Sequence, residues 1–278
     1  MRRIGSRNCA TAISAGRRCV QLAVVAISMT LLTGLTSEVT AEMLVADLPL
    51  EDGGSQRVLY AAPENPRAVL IMLPGGDGLV QIGDDGSIRR MSDNFLLRTF
   101  PLWQAHGFAT VILSPPNGIS LLGHRHTAAY AATIGQAVDF TRDHAKVPVW
   151  LVGTSQGSTA AVGGAARLGG KVAGIVVASS VTGRSSSGET LFDSEPGRVA
   201  VPALIVANTG DACPASPPAD APKIADALAQ VPRKEIVYVQ SVAIDGRPCD
   251  GKSPHGYFGI EAATVERIAE WIVTTTGR

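Results

Sequence analysis

The run Val147-Pro-Val-Trp-Leu-Val152 leading into Gly153-Thr-Ser-Gln-Gly157 constrains the fold of this chain more than any other stretch. The apolar run has the length of a buried strand, and the Ala-rich residues 158–168 favour a helix. Passing from one to the other across Ser155 requires a sharp strand-to-helix turn. Small residues are needed on both sides of the serine, because the turn brings neighbouring backbone close and holds the serine in strained dihedrals. The first N–H groups of the helix then point at whatever anion forms beside the serine.

The same rhythm runs along the chain. Strand-length apolar runs lie at 43–50, 56–62, 68–73, 108–113, 147–152, 172–178, 203–207 and 235–240, and helical patterns at 94–106, 127–144, 158–168, 222–230 and 260–275. This alternation predicts an α/β fold, one mostly parallel eight-stranded sheet with helices on both faces, opened by a hairpin turning at 51–54. The longest irregular stretches, 75–92, 114–126 and 179–201, are the expected binding loops.

With 278 residues, 45% hydrophobic and 17% charged, the chain has the size of one well-buried domain plus a leader. Arg2, Arg3, Arg7, Arg17 and Arg18 precede an apolar run at 20–35 and a polar stretch ending Val39-Thr40-Ala41. That pattern predicts a secretory signal peptide over 1–41 and an exported domain over 42–278. An uncleaved anchor is the rival reading, but the run is short for a bilayer and contains Gln21 and Gly34. Without 1–41 the Lys/Arg and Asp/Glu counts go from 24 and 24 to 19 and 23, a net charge of −4. The remaining cations are scattered, so neither a nucleic-acid partner nor a stable membrane anchor after cleavage is expected. Cys9 and Cys19 leave with the leader. Cys213 and Cys249 remain as an even pair, which predicts a disulfide in an oxidising compartment; the alternative is two separate buried thiols.

A serine hydroxyl is a weak nucleophile near pH 7 and needs a base to take its proton and a third group to orient that base. Downstream, Val201-Pro-Ala-Leu-Ile-Val-Ala-Asn-Thr-Gly-Asp211 places a carboxylate past a late buried strand, and Ser253-Pro-His-Gly-Tyr257 places His255 between the last strand and the last helix. The order of strand, glycine-flanked serine, acid after a later strand and histidine before the final helix resembles the α/β-hydrolase family over nearly all of 42–278.

The resemblance implies Ser155 as nucleophile, His255 as general acid and base, and Asp211 as the carboxylate that fixes the imidazole. Asp193, after the sixth strand, is the rival acid, because some members carry the carboxylate there. The resemblance also implies an oxyanion hole made by the N–H of Gln156 and one from Leu73-Pro-Gly-Gly-Asp-Gly78, with Gly76 the first choice and Asp77 the second. In this loop the chain departs from the family: Pro74 stands where a histidine usually braces it. His106 and His144 sit at predicted helix ends, and His124-Arg-His126 lacks the neighbouring Cys, Asp or Glu cluster of a metal site, so no metal is expected. No G-x-G-x-x-G follows a strand, and no cofactor is expected.

Together these readings predict an exported serine hydrolase that cleaves carboxylic esters through an acyl-enzyme. About two dozen residues separate the sixth and seventh strands, room for only a minimal cap. An open site of this kind suits a polar, polymer-attached or short-chain ester, with Leu79-Val80 and Leu121-Leu122 placed to line an acyl groove and residues 185–188 forming a small flap. A Cys213–Cys249 bridge would tie the acid loop to the base loop; its 37-residue span makes it worth about 3–4 kcal/mol. A serine peptidase or acyltransferase would use the same residues. A binding protein with a vestigial triad would keep the fold without the activity.

Overall fold

A strand apolar at almost every position must be buried on both faces, and the central strands of this protein are. The computed structural model describes residues 42–51, 53–183, 185 and 187–277; the expected signal peptide, 1–41, lies outside them. The elements are β1 (Glu42–Pro49), β2 (Ser55–Ala62), β3 (Ala68–Leu73), β4 (Gln81–Ile82), β5 (Ile88–Arg90), α1 (Phe95–Arg98), α2 (Phe100–Ala105), β6 (Phe108–Leu113), α3 (Ala128–His144), β7 (Val149–Thr154), α4 (Gln156–Leu168), β8 (Gly174–Ala178), β9 (Ala203–Asn208), α5 (Ala221–Ala227), β10 (Lys234–Val239) and α6 (Glu261–Thr276).

Eight strands form one sheet in the order β1-β2-β6-β3-β7-β8-β9-β10. β1 and β2 pair antiparallel, as do β2 and β6, and the remaining pairs are parallel. Side-chain alternation divides the core in two. Val69, Ile71 and Leu73 of β3 and Leu151 of β7 pack with Ile134, Val138, Ala161 and Ile224 of α3, α4 and α5. Leu70 and Met72 of β3 and Trp150 of β7 pack instead with Phe95, Trp103, Val265 and Trp271 of α1, α2 and α6. Trp150 meets Trp271 edge-on with ring centres 5.7 Å apart. Gly174 on β8 makes room for the Trp150 ring, which an added Cβ would overlap.

The expected eight-stranded, mostly parallel sheet covered on both faces is the one observed. Three local expectations are corrected. The single helix expected over 94–106 is two, because Pro101 brings no N–H and Thr99 Oγ1 donates to the Phe95 carbonyl at 2.6 Å, ending the first turn. The stretch 75–92, read as irregular, contains the β4–β5 hairpin, closed by Gly83 N–H to Ser87 O at 2.8 Å. The helix expected over 222–230 stops at Ala227. Between β8 and β9 the described residues carry only two single 3₁₀ turns, so the cap is minimal. No helix among the described residues is long and apolar enough to cross a membrane.

In a parallel sheet the strand C-termini point one way, so the loops after β3, β7 and β9 gather at one edge, where sites of such sheets form.

Candidate active site

Ser155 stands between β7 and α4 with φ 53° and ψ −124°, a left-handed conformation that an L-residue keeps only when its surroundings enforce it. They do so through backbone. Ser155 N–H donates to Ala178 O at 2.9 Å, while Ser158 donates to Ser155 O from its N–H at 3.0 Å and its hydroxyl at 2.5 Å. A Cβ on Gly157 would overlap the Leu73 carbonyl, and one on Gly153 would overlap the Gly157 carbonyl. From the opposite side Gly75 approaches so closely that a Cβ there would lie 2.6 Å from Ser155 Cβ. The helix starts at Gln156, two residues earlier than its composition suggests, so its first N–H groups lie next to the serine.

Asp211 ends the turn after β9. Its Oδ1 accepts the Cys213 N–H at 2.8 Å and its Oδ2 accepts from His255 Nδ1 at 2.9 Å; both side chains are buried. A carboxylate only accepts hydrogen bonds, so the bond places a hydrogen on Nδ1 and leaves Nε2 as the basic nitrogen. Ser216, buried beside them, contacts both partners: its hydroxyl donates to Asp211 Oδ2 at 3.1 Å and lies 2.9 Å from His255 Nδ1. Asn208 fastens the surrounding loops. Its Nδ2 donates to Pro254 O at 2.7 Å and Ser241 Oγ at 3.1 Å, and its Oδ1 accepts from the N–H groups of Gly210 and Ser241. The Ser253 hydroxyl accepts the His255 N–H at 3.1 Å. Cys213 and Cys249 are joined, Sγ to Sγ at 2.02 Å, across the acid and histidine loops.

The loop after β3 is held from behind by residues 120–125. Arg125, 1% exposed, donates from Nη2 to the carbonyls of Pro74 and Gly75, both at 3.2 Å. Burial pushes its guanidinium below the ordinary value, against the pull of Tyr130, Glu189 and Asp77. Leu121 N–H adds a bond to Asp77 O at 2.8 Å. The 120–125 segment is fixed in turn by buried Glu189, which accepts from the N–H groups of Gly123 and His126 and from His126 Nδ1 at 2.8 Å. Arg125 thus ties the loop after β3 to the 120–125 segment. Its position 51 residues from Pro74 hides that contact from the sequence.

Ser155, His255, Gly75 and Gly76 line one cavity of about 240 Å³, whose other walls include Met91, Asn94 and Asp250. Ser155 Oγ and His255 Nε2 have no hydrogen-bond partner among the described residues. Arg98, not itself a lining residue, ties two lining residues together, bonding the carbonyls of Asp93 at 2.7 Å and Gly256 at 2.6 Å and pairing with Glu261 at 2.9 Å. A larger groove of about 450 Å³, lined by Ile119, Leu121, His124 and Tyr130, shares no lining residue with this cavity.

Of the candidate residues, Asp211 and His255 bond directly, and Ser155, Gly76 and His255 share the cavity. Asp77 does not line it; its carboxylate takes the Leu79 N–H and pairs with Arg90 at 2.6 Å. The rival acid, Asp193, is occupied elsewhere, closing a capping box with the N–H and hydroxyl of Thr190 at 2.7 and 2.9 Å. Ser185 and Ser187 of the expected flap bond to the Gln156 side chain, at 2.5 Å to its Nε2 and 3.0 Å to its Oε1. The sequence offered no signal for Ser216 or Asn208 beyond their nearness to the acid.

No family model and no curated protein matches the chain. Solved structures do. A dienelactone hydrolase from Anabaena variabilis superposes with a TM-score of 0.56 at 16% identity, covering 84% of this chain and 98% of that one. An esterase from Pyrococcus furiosus gives 0.63 at 11%, covering 86% and 92%. A lidless α/β serine hydrolase from Xanthomonas campestris gives 0.55 at 15%, covering 82% and 95%. With the glycine-enforced serine turn, the acid after β9 and the histidine before the last helix in chain order, the protein has the α/β-hydrolase fold.

Proposed function

We propose that this protein is an exported serine hydrolase that cleaves carboxylic esters, with Ser155, His255 and Asp211 as its triad. The observation that carries the reading is the meeting, in one cavity, of a serine held at positive φ and a histidine whose Nδ1 is bonded to a buried carboxylate. Ser155 Oγ attacks the ester carbonyl as His255 Nε2 takes its proton. The oxyanion is met by the N–H groups of Gln156 and Gly76, and the adduct collapses as His255 returns the proton to the departing alcohol. Water repeats the sequence on the acyl-enzyme, releasing the carboxylic acid and the free serine. Asp211 keeps the imidazole in the Nδ1–H tautomer throughout, and no cofactor enters. The Ser155 Oγ–His255 Nε2 hydrogen bond forms on binding substrate, as catalytic hydrogen bonds absent from an empty site commonly do.

Support for ester over amide comes from the structural neighbours, several of which are named esterases. The minimal cap and the small cavity, which has Asp93, Asn94 and Asp250 among its lining residues, favour short-chain, polar or polymer-attached esters over long lipids. Export is supported by the Cys213–Cys249 disulfide.

The test is hydrolysis of p-nitrophenyl acetate and butyrate, beside peptide anilides, by wild type, Ser155→Ala, His255→Ala and Asp211→Asn. The expected result is ester cleavage that falls about a thousandfold or more in each variant, with fluorophosphonate labelling lost in Ser155→Ala. Activity equal in wild type and variants, with no label on Ser155, would leave a binding protein on this fold.

A further inference from the structure

A buried arginine is expensive to desolvate, and Arg125 is 1% exposed with no carboxylate among the described residues within ion-pairing distance. Its Nη1 has no hydrogen-bond partner among the described residues, while its Nη2 is shared by two successive carbonyls, Pro74 O and Gly75 O. Such an arrangement persists only if those two peptide groups are worth fixing. A trans peptide unit points its N–H opposite to its C=O. The Pro74 carbonyl and the Gly75 N–H belong to one unit, and the Gly75 carbonyl and the Gly76 N–H to the next. Drawing both carbonyls inward to one guanidinium therefore aims both N–H groups outward, where Gly75 and Gly76 line the same cavity as Ser155. Neither N–H has an acceptor among the described residues. The Asp77 carbonyl, two peptide units further on, is held by Leu121 N–H and fixes the end of the same turn. Gly78 completes the fit, because a Cβ there would lie 2.8 Å from Arg125 Nη2 and 2.7 Å from Leu121 Cδ1.

We propose that Arg125 is the positioning residue of the oxyanion loop: its guanidinium sets the peptide planes on either side of Gly75 so that N–H groups face the charge developing at Ser155. The proposal rests on the serine-hydrolase reading above. A residue acting this way affects the transition state more than the ground state, so kcat falls while KM holds, and affinity falls for a boronic acid that forms a tetrahedral adduct with Ser155.

The experiment measures kcat, KM and inhibition by a short alkylboronic acid for the full chain and for Arg125→Met and Arg125→Lys, with thermal unfolding to confirm folding. Arg125→Met is expected to lose about tenfold to a hundredfold in kcat and as much in boronate affinity, with KM within about twofold. Arg125→Lys, whose ammonium can still donate to both carbonyls, is expected to fall between it and wild type. A folded Arg125→Met that keeps kcat and boronate affinity within about twofold of wild type overturns the proposal; if that variant does not fold, Arg125→Gln decides by the same criterion. Wild type that neither hydrolyses esters nor labels at Ser155 overturns the hydrolase reading and this inference with it. An active wild type with indifferent Arg125 variants overturns this inference alone.

Discussion

The two halves of the candidate site are held by opposite means. Around Ser155 the geometry comes from side chains that are missing: Gly75, Gly153 and Gly157 let three backbone segments meet at distances no Cβ would allow. Around His255 it comes from side chains that are present: Asp211, Ser216, Asn208 and Ser253 bond across loops, and a disulfide joins two of those loops. The Ser155 half is therefore rigid to any addition, whereas the His255 half is sensitive to specific deletions.

That contrast is broken most severely at Gly157. Gly157→Ala sets a methyl group against the Leu73 carbonyl, which lies in a central strand and has nowhere to go, so a loss of about 4 kcal/mol or more is expected, and with it the loss of the proposed ester cleavage. Chemical denaturation and ester hydrolysis check it; an active, normally stable variant would show that the elbow yields. In the other half, replacing both Cys213 and Cys249 by Ser removes a cross-link between positions 36 apart. The expected loss is about 3–4 kcal/mol of stability, read from denaturation midpoints, with the fold retained at low temperature.

A finer probe is Ser216→Ala. Asp211 Oδ2 and His255 Nδ1 lose a shared partner yet keep each other, so kcat/KM is expected to drop roughly tenfold with stability changed by about 1 kcal/mol. An unchanged kcat/KM would assign the hydroxyl to packing alone. The smallest effect is expected at Asp250, on the cavity wall. The Arg247 backbone N–H, and with it the Arg247 side chain, holds this carboxyl below its ordinary value of 3.8 despite some burial. A depressed carboxylate stabilises the fold above its unfolded pKa and loses that contribution as pH falls through the folded one. Asp250→Asn should therefore cost a few tenths of a kcal/mol at neutral pH, and Tm curves for the two proteins should converge below about pH 4.

What the sequence disclosed follows the same division. Ser155 and its flanking glycines were legible because the elbow is local: strand, turn and helix lie within a few consecutive residues. Asp211 and His255 were legible only through their order along the chain and the elements before them. Ser216, Asn208 and Arg125 were not, because their partners lie 39, 46 and 51 residues away. Nothing in Ser-Pro-Pro or His-Arg-His announces which distant atom will be within reach. The break at Thr99 escaped for another reason, since a continuous apolar pattern through 94–106 outweighed one proline near the start of the second turn.

The glycines around Ser155 also decide where this protein can change over generations. Gly75, Gly153 and Gly157 sit where any replacement collides with main chain or with the serine itself, so that part of the surface is closed to drift and to selection alike. The opposite wall, with Met91, Asp93, Asn94 and Asp250, presents real side chains to the same space. New substrate preferences can be acquired there at Met91, Asp93 and Asp250, whereas Asn94 caps α1 and reaches Thr154 beside the serine. A library built on those positions explores the adaptive freedom of the pocket, while one built on the glycines samples mostly unfolded chains.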